Sequence, residues 1–172
     1  MGERTNLSMV DGELSANVAP DDRGLAYGHG LFETMRLSTG AIPLQDRHLA
    51  RLVRDAERLH LPVDRAAVNT DIERFSAHLK RAGITAGVVK LIITAGSGGR
   101  GYRTPKTLAA RCILQYSALP NDFSTLAQTG ARLYQCAYRL PANTTLAGIK
   151  HLNRLDQILA RNEWQDEYDD GL

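Results

Sequence analysis

Long apolar runs are missing from this sequence of 172 residues, and none approaches the roughly 20 residues that a membrane-spanning helix needs. The opening stretch MGERTNLSMVDGE has no apolar core, so it is not read as a secretory signal. Cysteine is scarce. Cys112 and Cys136 fall in strand-like segments without metal-ligand spacing, and they are read as buried free thiols of a reducing compartment. The cytoplasm is the expected location. Net charge is small, at +2, too little to argue for nucleic acid or a membrane surface as a partner. The five histidines form no HExxH or paired ligand spacing, so no metal site is expected. No GxSxG elbow, Walker pattern, internal repeat or low-complexity segment occurs.

What remains is the composition of a globular protein, with 43% hydrophobic and 23% charged residues. Met9 to Leu14 reads as a small hairpin around Asp11 and Gly12, a pair suited to a type I′ turn. DDRGLAYGHG reads as loop, with three glycines in ten residues. LFETMRL reads as a strand, and the turn Ser38-Thr39-Gly40 leads into AIPL as its partner. Leu49, Leu52, Val53, Ala56 and Leu59 recur at helical spacing after Asp46, the expected N-cap, while Arg47, Arg51, Arg54 and Arg58 fall on the opposite face. A second helix is expected to open at Thr70-Asp71-Ile72-Glu73, a capping-box pattern, and to end near Gly83. Its apolar positions are Ile72, Phe75 and Leu79. GVVKLIITAG, ARCILQYS and ARLYQCAY read as strands. A final helix is expected from about His151 to Trp164, with Leu152, Leu155, Ile158 and Leu159 on one stripe.

The fold class is therefore α+β. A small N-terminal α/β sandwich domain is expected over 1–119 and a linker, rich in turn formers, over 120–130. Residues 131–172 read as the start of an incomplete second domain, because one strand and one helix cannot bury a core of their own; either a C-terminal half or a partner chain is missing.

Gly96, Gly98 and Gly101 match GxGxxG after a strand, yet a dinucleotide site requires a helix to open there. Tyr102-Arg103-Thr104-Pro105 and another strand follow instead. The segment is read as a flexible hairpin connection carrying Arg100, Tyr102 and Arg103 into a cleft. Lys150 stands at the expected start of the last helix, where the macrodipole opposes a cation. A desolvated lysine can form a Schiff base and later move protons. The arginine stripe is an ordinary solvated face unless a second domain covers it, in which case one arginine meets an anionic ligand.

Four stretches taken in order, DDRGLAYGHGLFETMR, DRHLARL, VVKLIITAGSGGRGYR and LAGIKHLNRLDQ, resemble the fold-type IV pyridoxal-phosphate enzymes. That group contains branched-chain and D-amino-acid aminotransferases and aminodeoxychorismate lyase, and the last two stretches look most like the lyase. The resemblance implies that Lys150 binds pyridoxal 5'-phosphate and that Arg51 holds its phosphate. Asn153 and Arg154 fall near positions flanking the cofactor ring. Tyr27, Phe32 and Thr34 match the substrate-facing strand, Lys90 takes the place of a basic residue for substrate carboxylate, and Arg100 and Tyr102 are further contacts across a dimer interface.

The resemblance further implies conversion of 4-amino-4-deoxychorismate, a small dicarboxylate, to 4-aminobenzoate and pyruvate in a homodimer. Lys150 then serves as both anchor and general base. The alternative within the cofactor class is a class IV aminotransferase; that from another class is an inactive fragment or non-catalytic binding module. The family's chains continue beyond this C-terminus, so a missing remainder is expected. That part normally supplies the acid paired with the pyridine nitrogen and backbone groups for the phosphate.

Overall fold

Alternating apolar and polar side chains along three segments meet the requirement of a sheet with one packed face. In the computed structural model, which describes residues 7–14, 17–119 and 123–172, these segments pair. The first of two compact units comprises Met1–Ala118 with Ile149–Leu152. In chain order it contains β1 (Ser8–Val10), α1 (Arg23–Tyr27), β2 (Gly30–Leu37), α2 (Gln45–Arg58), α3 (Arg65–Arg81), β3 (Gly87–Thr94) and β4 (Arg111–Ser117). The strands form an antiparallel sheet in the order β1-β4-β3-β2.

One sheet face is the core. Met9, Leu31, Met35, Leu37, Val89, Leu91, Ile93 and Leu114 are buried there. Leu49, Leu52 and Ala56 of α2 and Val68, Ile72, Phe75 and Leu79 of α3 are buried as well, and the two helices pack on β2 and β4. Each large side chain so buried contributes about 1.5–3 kcal/mol. The strand register puts Phe32 opposite Ile92, and Thr34 opposite Lys90, which in turn faces Gln115. Because side chains alternate, these residues share the other face.

Several expected boundaries move. The hairpin at Asp11 and Gly12 stands, with φ of 50° and 82° as a type I′ turn demands, and Val10 and Glu13 exchange backbone bonds of 2.7 and 3.0 Å. DDRGLAYGHG is not all loop. Asp22 caps α1 by accepting from Gly24 N at 2.7 Å, and left-handed Gly28 ends it. AIPL is not a strand; only Ser38 and Ala41 form a bridge, and the partner of β2 is β3. Asp46 is not the N-cap of α2. Left-handed Leu44 takes that place, and Asp46 sits in the first turn, where the helix dipole favours a carboxylate. α3 begins before Thr70, capped by Asp64. The Thr70 hydroxyl donates back to Ala66 O at 3.0 Å, a mid-helix bond that reuses the capping residue type.

The second unit comprises Leu119–Gly148 and Asn153–Leu172. It contains α4 (Phe123–Thr129), β5 (Leu133–Tyr134), α5 (Leu155–Arg161) and β6 (Asp170–Gly171). Most of the expected linker is thus helix; Pro120, Asn121 and Asp122 lie outside the described residues. The strand expected in ARLYQCAY shrinks to two residues paired in parallel with β6. The last helix is shorter than expected, and Leu155, Ile158 and Leu159 are exposed. Trp164, stacked on Tyr134 at 5.3 Å, is the one buried large apolar side chain of this unit among the described residues.

Lys150 is not at a helix N-terminus either. Residues 149–152 run beside the start of β2, where Phe32 N donates to Lys150 O at 2.9 Å and Leu152 N to Gly30 O at 3.0 Å. Leu31 and His151 form the antiparallel bridge. Gly30 permits this approach, since a Cβ there would lie 2.3 Å from Ile93 O and 2.7 Å from Leu152 Cδ1. Gly30→Ala is expected to cost about 2 kcal/mol of stability by overpacking, read as a lower urea midpoint at unchanged slope.

Candidate active site

The residues next to Lys150 follow from strand alternation. Phe32 points to the face opposite the core, and the Lys150 Nζ lies 4.2 Å from its ring centroid. Lys90 Nζ lies 5.1 Å from the same centroid, so one aromatic ring carries two amines. Thr34, directly across from Lys90, is exposed. Lys150, Phe32, Thr34 and Lys90 are thus brought together on one unit, within one or two strand positions.

Arg51 has a built partner. Glu33 belongs to β2 but points into the core, with only 1% of its side chain exposed. Arg51 meets it with two parallel bonds, Nε to Oε1 at 2.7 Å and Nη2 to Oε2 at 2.5 Å. His48 Nδ1 lies 2.8 Å from Oε2 and donates to it, since an ionised carboxylate only accepts. Burial raises the Glu33 carboxyl, but the hydrogen bonds from Arg51 and His48 and their charges outweigh it and hold the group below its ordinary value. The Glu33 bond raises Arg51 against the effect of its own burial. Arg47, Arg54 and Arg58 are exposed, as a solvated stripe predicts, whereas Arg51 leaves that stripe. Its side chain is still 41% exposed, leaving a guanidinium of fixed orientation with a face open to a ligand.

Around α1 the glycine connection between β3 and β4 meets several hydrogen-bond partners. Asp22 is fully buried, and its second oxygen accepts from the Thr94 hydroxyl at 2.8 Å. Arg23, also buried, sends its guanidinium under the glycine segment. Nη1 donates to Gly101 O at 3.1 Å and Gly99 O at 3.4 Å, and Nη2 to Tyr102 O at 3.3 Å. Its Nε faces His29 Nδ1 at 3.4 Å. Arginine only donates, so His29 Nδ1 accepts and Nε2 carries the proton toward Leu59 O at 3.5 Å. Tyr27 OH accepts from Gly101 N at 3.0 Å, and its ring meets that of Tyr102 edge-on at 5.6 Å. Arg100 and Arg103 are exposed, and Tyr102 is 89% exposed. No helix follows the glycines; the chain runs on to β4, as the rejection of a dinucleotide site requires.

Asn153 and Arg154 belong to the second unit. Asn153 is exposed, and burial lowers Arg154 against the pull of Asp156. The cysteines are partly rather than fully buried. Burial, with Asp71 beside it, pushes the Cys112 thiol up, which suppresses its thiolate. Among the described residues no group of three or more histidine, cysteine or acidic side chains could hold a metal ion. Among them too, no helix is long and apolar enough to cross a membrane.

Sequence reasoning missed Glu33, His48, Asp22 and Arg23. A signal existed for Glu33. Alternation along LFETMRL puts a carboxylate between Leu31 and Met35 on the packed face, and a buried charge needs a partner. For Arg23 the carbonyls that its guanidinium holds lie 76 to 79 residues away, beyond any local signal.

A lysine beside β2 of a two-layer unit, with an arginine fixed from α2, agrees with the fold-type IV resemblance. Residues 30–172 match the family described as Amino-transferase class IV. The chain belongs to that family. It is 30% identical over 154 residues to an aminodeoxychorismate lyase of Vibrio harveyi, covering 90% of this chain and 55% of the relative. The crystal structure of 4-amino-4-deoxychorismate lyase from Pseudomonas aeruginosa superposes with a TM-score of 0.89 at 46% identity, covering 96% of this chain and 60% of that one. The pyridoxal-phosphate-bound form of a hypothetical aminotransferase from Mycobacterium tuberculosis shares the fold, with a TM-score of 0.77 at 22% identity over 92% of this chain and 58% of that one. The chain spans about half the length of the curated relatives it matches.

Proposed function

We propose that the protein carrying this chain is a pyridoxal-phosphate-dependent lyase that converts 4-amino-4-deoxychorismate to 4-aminobenzoate and pyruvate, a step of folate synthesis. The observation that carries the reading is the Lys150 amine set over the Phe32 ring with Lys90 at the same ring. The 46% identity to a structure of that lyase supports it.

The donor set fits pyridoxal phosphate. A primary amine suits its aldehyde, and a guanidinium braced by Glu33 suits its phosphate. Lys150 and Arg51, both of the first unit, would hold it. When bound, the cofactor supplies an electron sink for the charge left by proton removal. Lys150 Nζ, once neutral and released, takes the proton from the amine-bearing ring carbon of the substrate. Loss of the neighbouring enolpyruvyl group then leaves an aromatic ring. Lys90 and Arg100 meet the two substrate carboxylates; Tyr27, Phe32, Thr34 and Tyr102 shape the pocket. We further propose a cytoplasmic homodimer, in which Arg100 and Tyr102 serve across the interface.

A second reading is favoured by the family itself: a class IV aminotransferase, using the same Lys150 and Arg51. The test is turnover of aminodeoxychorismate by the full-length protein with added pyridoxal phosphate. Equimolar 4-aminobenzoate and pyruvate are expected. Accumulation of pyridoxamine phosphate with an amino donor, and no 4-aminobenzoate, would instead establish the aminotransferase.

A further inference from the structure

We propose that Arg23 is a positioning residue that fixes the glycine connection 96–103 and thereby sets affinity for the anionic substrate; the second half of this rests on the lyase reading. A connection with Gly96, Gly98, Gly99 and Gly101 in six residues has a large conformational freedom to lose. The structure opposes that freedom from below. The buried guanidinium of Arg23 gathers the carbonyls of Gly99, Gly101 and Tyr102, which follow one another across the bend. Each bond is charge-assisted, and burial of Arg23 among carbonyls limits competition from water.

Two further contacts hold the same place. Tyr27 OH accepts the Gly101 N–H, while the Arg23 guanidinium carbon lies 4.9 Å from the centroid of the Tyr27 ring, so Tyr27 braces both the arginine and the connection. Gly98 fits against the arginine stem, since a Cβ there would lie 3.0 Å from Arg23 Cδ and 3.0 Å from Pro105 Cγ. The glycines thus serve close approach as well as turning. Arg23 itself is covered by the connection and touches no substrate. Its effect reaches substrate through two exposed side chains, Tyr102, whose carbonyl it holds, and Arg100, which lies between the held Gly99 and Gly101. Lysine cannot replace it fully, because a point ammonium does not span carbonyls from three residues.

The experiment compares the full-length protein with Arg23→Gln, Arg23→Lys and Tyr27→Phe. The rate of tryptic cleavage after Arg100 and Arg103 and amide exchange over 97–104 are measured first. Arg23→Gln is expected to speed both about tenfold with the amides of β2 and β3 still protected, and Arg23→Lys less. Should Arg23→Gln lose protection in β2 and β3, Tyr27→Phe decides the matter, with an expected acceleration of about threefold. Unchanged protection of 97–104 in the deciding variant overturns the clamp. Turnover is measured second. For Arg23→Gln, or Arg23→Lys if the former does not fold, KM for aminodeoxychorismate is expected to rise about tenfold while kcat stays within about threefold. A loosened connection with unchanged KM overturns the substrate half. Absence of turnover in the unmodified protein overturns the lyase reading, and the clamp is then still judged by cleavage and exchange.

Discussion

Lys150→Ala is expected to lower kcat about 10⁴-fold, the combined loss of a covalent anchor and a proton-transfer group, in a protein that still folds. The sheet uses the backbone of residue 150, whose carbonyl accepts from Phe32 N, and alanine keeps that bond. The contact of the side chain with the Phe32 ring is worth about 0.5–1 kcal/mol, so thermal stability should fall by a few degrees. Lys150→Arg is expected to be as inactive as the alanine variant, because a guanidinium stays charged and cannot act as a base. Steady-state rates with thermal melts on the same samples check this. A variant with near-normal kcat would remove Lys150 from the chemistry; one that fails to fold would make it structural.

The second large effect is at Glu33. Its carboxylate is buried and receives both Arg51 and His48. Glu33→Gln keeps the shape but replaces an acceptor-only group with one whose amide must donate toward two donors. A loss of about 3 kcal/mol is expected, within the range for breaking a buried pair. Arg51, no longer held by the fork, should bind pyridoxal phosphate about tenfold more weakly. Acid makes a further distinction. The folded Glu33 carboxyl titrates below its ordinary value of 4.5, so the unfolded chain takes up the proton first as pH falls. The stability contributed by Glu33 is full above that ordinary value and is lost as pH falls through the lower folded value. Glu33→Gln should therefore flatten part of the acid limb of a stability-against-pH curve. If the curve keeps its slope and cofactor affinity is unchanged, the pair has neither role.

Periodicity made the core legible where local chemistry and packing agree. β2, β3, β4 and the apolar stripes of α2 and α3 follow from the spacing of residues such as Leu31, Met35, Leu52, Ile72 and Leu91, all buried. Gly24 and Gly28 made α1 look like loop, although Gly24 is required by Thr94, whose Cγ2 would lie 2.4 Å from a Cβ, and Gly28 is a helix stop. Likewise the stripe after Lys150 suggested a helix from His151, while the backbone of 150–152 is taken up by Gly30 and Phe32. Close packing against a distant strand explains Gly24, and non-local hydrogen bonds overrode local propensity at 150–152. At the site, Lys150 and Arg51 were readable only through resemblance. The fork on Arg51 could have been anticipated from the inward position of Glu33, but the Arg23 clamp depends on contacts that no spacing encodes.

The most direct measurement is borohydride reduction of the full-length protein with pyridoxal phosphate, followed by peptide mass mapping. A single phosphopyridoxyl group on the Lys150 peptide, absent from Lys150→Ala, is the predicted result. Labelling spread over several lysines, or found on another lysine and retained in Lys150→Ala, would contradict the account.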